Sequence, residues 1–226
     1  EARVFVDAQE PSRDSLAGAI GRALPDALGA LVKIVGTNAT EVERDLFDGR
    51  LECPGCGGVL APWGSARSRV LRVRGGGVWH VIPRRARCRG CGRTHVLLGA
   101  YGLLRRRDAV WSIGFALVAK AAGHGFRWSA GRLGVPVSTV RGWLRRFATQ
   151  AEGVRVWFTV LAHDLDPLLP RIDPAGSPFG DAVEAVGMAA RAAEKRLGSG
   201  AGWGFVSRAS AGKILANTGC PWEATG

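Results

Sequence analysis

The chain has 226 residues, 31 Lys and Arg against 19 Asp and Glu, a net charge of +12 and 46% apolar residues. That apolar content excludes a disordered chain, and no uninterrupted apolar run reaches the roughly 18 residues a membrane span needs. The charge is unevenly placed: residues 1–50 hold 6 basic and 9 acidic side chains, residues 51–150 hold 18 and 2, and residues 151–226 hold 7 and 8.

Residues 1–50 are predicted as a helical segment. Leu16, Ala19, Ile20, Ala23, Leu28, Leu31 and Val32 suggest two short helices broken at Pro25, with another over Glu41–Phe47. The opening residues lack the basic-then-apolar order of a secretion signal, so a cytoplasmic, nucleoid-associated protein is expected.

Residues 51–100 are predicted as a zinc ribbon. Cys53-Pro-Gly-Cys56 and Cys88-Arg-Gly-Cys91 are two Cys-x-x-Cys units, each followed by glycine, at Gly57 and Gly92. Two thiolates from each tight turn suit one tetrahedral metal ion, and glycine permits the left-handed backbone of such a turn. Residues 70–74 and 78–82, joined by Gly75-Gly76-Gly77, read as a hairpin that returns the chain so that Cys88 meets Cys53. Residues 94–98 would add a third strand, and Trp79 is expected in the ribbon core. Disulfides do not fit a chain without a secretion signal, and a redox pair needs one Cys-x-x-Cys at a strand-to-helix junction. His80 or His95 is an alternative fourth ligand. Four thiolates close the shell, so one structural Zn²⁺ is expected, contributing about 10–16 kcal/mol of metal-coupled folding free energy. Cys220 stands apart as a free thiol.

Residues 101–150 are predicted as a helix-turn-helix. Asp108 reads as the cap of a helix ending near Gly123. Residues 127–133 form a short second helix, Gly134 the turn, and a third helix begins near Ser138 with Val140, Trp143, Leu144 and Phe147 as its buried stripe. A recognition helix enters the major groove by its N-terminal turns, which here carry Ser138, Thr139 and Arg141 outward. Arg141 suits a bidentate contact with guanine. Arg145 and Arg146, with Arg127 and Arg132 of the preceding helix, suit phosphates. Arg105-Arg106-Arg107 suits a phosphate clamp or a minor-groove arm, and reads equally as a solvated linker. A double-stranded DNA partner is therefore expected. Structured RNA is less well served, because no exposed aromatic stacking face is evident.

Residues 151–226 are predicted as a helical interaction region, with helices over 151–165 and 179–197. The tail is rich in Gly, Ser and Ala, and Trp203, Phe205 and Trp222 are its candidate anchors. No catalysis is expected. Asp164, Asp166, Asp173, Asp181, Glu184 and Glu194 fall in helical or Pro-rich sequence rather than on a sheet that would hold magnesium ions. The triglycine also lacks the Lys-Ser/Thr of a phosphate loop. The fold class is α+β: a β-rich ribbon, then helices.

The segments 49–64, 83–98, 104–108 and 133–147, with Pro174-Ala-Gly-Ser-Pro178, resemble a family of short actinobacterial proteins that combine a zinc ribbon with a helix-turn-helix. Gly99-Ala100 departs from the proline expected after the third strand. The resemblance spans roughly residues 42–220. It implies a DNA-binding accessory factor or regulator of a mobile element. A transposase or a second copy of the chain is a further expected partner.

Overall fold

A computed structural model describes residues 31–171, 173–198, 202–218 and 220–223. The helices predicted over residues 12–30 lie outside these. Strand β1 is Val32–Val35 and helix α1 is Ala39–Phe47. Five further strands follow as β2 (Leu60–Ser65), β3 (Arg69–Arg72), β4 (Val78–Val81), β5 (Arg84–Cys88) and β6 (Thr94–Gly99), of which β3 and β4 form a hairpin. The helices are α2 (Val110–Ala121), α3 (Phe126–Leu133), α4 (Val137–Ala148), α5 (Ala151–Leu165), α6 (Pro178–Leu197) and α7 (Gly202–Ala209). The architecture is α+β, and no helix among the described residues is long and apolar enough to cross a membrane.

The main sheet has strand order β1-β6-β5-β2, with β1 parallel to β6 and the other pairs antiparallel. Val32 closes the apolar pattern that predicts N-terminal helices, but residues 32–35 form a strand. A β-branched Val-Lys-Ile-Val run gains more from ladder hydrogen bonds beside β6 than from one isolated helical turn. α1 is capped by Asn38, whose side chain accepts from the Glu41 N–H at 3.3 Å. Val35, Val42, Leu46, Leu60, Ala86 and Leu97 are buried with Cys53 and Cys88 in a small core.

The hairpin β3–β4 was expected within the ribbon, but it forms a sheet of its own. The strands that bring the cysteines together are β2 and β5, which pair Leu60 with Cys88. The hairpin instead leans on the helices. Arg72 N–H donates to the Arg107 carbonyl and the Ala109 N–H donates to the Arg72 carbonyl, at 2.7 and 2.9 Å. Trp79 is therefore not ribbon core. It is half exposed, and its ring meets Trp111 edge-on at 5.2 Å.

Asp108 does not cap α2; that position belongs to Ala109. The buried Asp108 carboxylate is taken by Arg72, with Nε 2.8 Å from Oδ1 and Nη2 donating to Oδ2 at 3.0 Å. α2 is apolar on nearly every side, as suits a central helix: Val110, Ile113, Ala116 and Leu117 are all fully buried. One continuous helical core runs from Leu103 to Leu215. The Pro-rich segment after α5 runs back along it, so α5 and α6 lie side by side in the same direction. At their far ends Arg196 donates to the Asp164 carbonyl at 2.9 Å and Lys195 pairs with Asp166 at 2.6 Å. At their near ends Asp181 faces Arg155, and Phe179 meets Phe147 of α4.

The tail is helical at α7, where sequence showed only a Gly-, Ser- and Ala-rich stretch, and its aromatics do anchor it. Trp203 lies where a side chain on Gly114 would sit, and Trp222 likewise faces Gly153. Cys220 is buried and forms no disulfide with any described cysteine. Its thiol lies 3.3 Å from Gln150 Oε1, to which it donates.

Candidate metal centre and basic helical surface

The four ribbon cysteines converge. Their Sγ atoms all lie within 4.8 Å of one another, with Cys53 to Cys91 at 3.8 Å and Cys56 to Cys88 at 3.4 Å. A tetrahedral ion with metal–sulfur bonds near 2.3 Å requires sulfurs about 3.8 Å apart, so the set fits one ion and is consistent with a zinc ribbon. Among the described residues it is the only group of three or more potential ligands close enough to share an ion.

Each turn is shaped for its sulfurs. The Gly55 N–H donates to Cys53 Sγ and the Cys91 N–H to Cys88 Sγ, both at 3.4 Å. Gly57 and Gly92 take φ of +70° and +72°, the left-handed backbone the spacing implied. Gly58 has a different reason: a Cβ there would stand 3.1 Å from Cys88 Sγ and 3.4 Å from Cys56 Sγ. Cys53 and Cys88 are buried while Cys56 and Cys91 are exposed, so the ion would sit at the rim of the sheet.

Electrostatics favour the first ionisation at Cys88. The Cys91 N–H stabilises its thiolate and outweighs burial, holding it at about 6. The Gly58 N–H pulls Cys56 down, but the thiols of Cys88 and Cys91 and burial outweigh it and push Cys56 up to about 11. Crowded sulfurs resist a second negative charge, and a divalent cation removes that resistance.

His95 belongs to this centre in a way the sequence did not reveal. Its ring is buried, and Nε2 lies 3.3 Å from Cys53 Sγ, a sulfur that already belongs to the four-thiol set. That distance suits an N–H···S hydrogen bond that orients a ligand rather than direct coordination. Alternation along β6 was the available signal, since His95 points inward with Leu97. His80 lies on the exposed hairpin, away from the cysteines.

On the helical side, α3 ends at Gly134 in the left-handed conformation and α4 begins three residues later. Val140, Trp143, Leu144 and Phe147 of α4 are buried, as the spacing predicted. The cap is Pro136 rather than Ser138, with no side-chain cap bond, which puts Ser138 within the first turn. Ser138, Arg141 and Arg145 are exposed and Thr139 is half-buried. Arg146 is half-buried and donates to the Gly142 carbonyl at 3.0 Å. Arg127 and Arg132 are exposed on α3, their guanidiniums over Phe126 and Trp128 at 5.7 and 5.3 Å.

The Arg105–Arg107 triplet splits into different environments. Arg105 and Arg107 are exposed, whereas Arg106 is half-buried and donates to the Leu215 carbonyl at 2.9 Å. Burial lowers its pKa, and the nearby Arg146 charge lowers it further. Neither a clamp nor a solvated linker describes Arg106, which ties the tail to the helices.

Comparison with known proteins gives no matching family model, no matching curated protein and no matching solved structure.

Proposed function

We propose that the chain is a sequence-specific double-stranded DNA-binding protein in which α3 and α4 act as a helix-turn-helix, braced by a ribbon holding one structural Zn²⁺. The observation that carries this reading is the outward face at the start of α4. Ser138 and Arg141 are exposed beside the half-buried Thr139, while the opposite side of the helix is sealed into the core. A helix held so firmly, with small and hydrogen-bonding groups at its leading end, suits insertion into a major groove. Between Glu52 and Asp108 no carboxylate interrupts the positive field, and none lies between Asp108 and Glu152.

Arg141 is the base-reading residue, and Arg127, Arg132 and Arg145 contact phosphates. Arg146, tied to Gly142, holds the helix surface in place more than it reaches outward. The role is that of a mobile-element accessory factor or a transcriptional regulator, acting by binding and not by catalysis. A scaffold for a transposase or polymerase is favoured by one observation: Val156 and Val160, one turn apart on α5, are both about half exposed.

The deciding experiment measures binding to genomic fragments against salt. Each neutralised phosphate contributes about −0.9 to the log–log slope, so a steep slope is expected. Arg141→Ala should relax sequence preference by ~1–3 kcal/mol, and Arg145→Ala should weaken all duplexes alike. A flat salt response favours the scaffold.

A further inference from the structure

The hairpin β3–β4 takes no part in the metal-bearing sheet, and its tip reaches the turn between α3 and α4. Arg74–Gly76 forms that tip, with Gly75 and Gly76 at φ of +81° and +79°. The Gly76 amide nitrogen lies 3.7 Å from where a Cβ of Gly134 would stand. Ser138 follows Gly134 by four positions, so at ~3.5 Å per residue the leading end of α4 stands no more than about 14 Å from the glycine that the tip adjoins.

The tip is firmly placed. Arg72 clasps Asp108, and the two backbone hydrogen bonds to Arg107 and Ala109 fix the base of the hairpin to the start of α2. Beyond that base, the exposed Arg74 guanidinium lies over the Phe115 ring at 4.8 Å. Phe115 in turn stacks on Trp128 at 5.8 Å with an interplanar angle of 14°, and Arg132 lies over Trp128. Two guanidiniums are thus positioned by one aromatic stack. A carboxylate partner would occupy the N–H fork; an aromatic face positions the cation and leaves the fork open. At Gly75 and Gly76 an added Cβ would meet nothing within 4 Å, so both tip glycines face open space.

We propose that the hairpin tip is a second DNA-contacting element, in which Arg74 and the Gly75–Gly76 backbone grip the sugar–phosphate strand flanking the bases met by α4. This rests on the helix-turn-helix reading of α3 and α4. Arg132, over Trp128 of the same stack, bonds the same strand. The grip carries no base information; it lengthens the footprint on one side and strengthens binding to every duplex.

The test uses the full chain loaded with zinc and two probes: a random-sequence duplex of about 30 bp, three helical turns, and a genomic fragment retained by the wild type. Arg74→Ala should lower affinity for both probes about 5–10-fold and reduce the salt slope by about 1. It should remove hydroxyl-radical protection at one edge of the footprint and leave sequence preference intact. Arg74→Lys, which keeps the charge, should restore most of the slope. Arg171→Ala, which removes one exposed positive charge beside Arg155 and Asp181, should leave slope and footprint unchanged. If Arg74→Ala matches the wild type in slope and footprint while Arg141→Ala still loses preference, the hairpin proposal falls and the reading of α4 stands. If the wild type protects no duplex, both fall together.

Discussion

At the residue scale, the metal centre and Gly114 carry the clearest consequences. Cys88→Ser removes the thiol that ionises first and should abolish the expected one-to-one metal stoichiometry, read by elemental analysis. His95→Ala should keep the metal at neutral pH but weaken it about 10–100-fold, as loss of a ligand-orienting group does, read by chelator competition. Bound thiolates compete with protons, so in the wild type and in His95→Ala alike metal affinity should fall as the pH falls. Gly114→Ala places a methyl inside the Trp203 indole, 1.9 Å from its nearest ring carbon, and the ring has to leave. That overpacking should destabilise the fold by about 1–3 kcal/mol and shift tryptophan emission to the red. Residue-level chemistry was legible at the metal turns, whereas the local cap reading of Asp108 gave way to its pairing with Arg72. The Cys-x-x-Cys turns with their following glycines are written within four or five positions, and both fold as read. His95 could be named only as an alternative ligand, because the pairing of β2 with β5 and of β5 with β6 is what sets it against Cys53 as a hydrogen-bond partner.

Between elements, the clearest contacts are polar straps. Arg72 and Asp108 join the hairpin to α2, and a double-mutant cycle should return a coupling of about 0.5–3 kcal/mol, reduced because Arg72 is more than a third exposed. Lys195 and Asp166 join α6 to α5. The Lys195 ammonium depresses the Asp166 pKa below its ordinary 3.8, so the pair stabilises the fold above that pH and is lost as the pH falls through the depressed value. Lys195→Ala should therefore lower the melting temperature slightly at neutral pH and make no difference once acid has protonated Asp166. The helices were legible because their apolar periodicity is strong, as in the buried stripe of α4. β5 was not, because Arg84, Arg85 and Arg87 hide its alternation and only Ala86 and Cys88 turn fully inward. β1 was misread because a parallel partner some sixty positions away leaves no local mark on a run of four residues.

For the whole molecule, the middle hundred residues supply both folded halves with the same positive surface, which is what composition alone indicated. Composition could not say that the hairpin between the two cysteine pairs would leave the ribbon and rest against the helices. That placement makes residues 57–87 a span with two fixed ends: one closed by the four sulfurs, the other held at Asp108 and beside Gly134. A ligated ion closing a loop of this length constrains the unfolded chain much as a disulfide does, by roughly 3–4 kcal/mol on loop-entropy arguments. With the metal bound, the ribbon and the helices should melt in one calorimetric transition. After chelation the ribbon should lose its structure first, and a second, separate transition should report the helices, whose apolar core holds none of the cysteine ligands. An ion that touches no helix would then decide whether the chain unfolds as one body or as two.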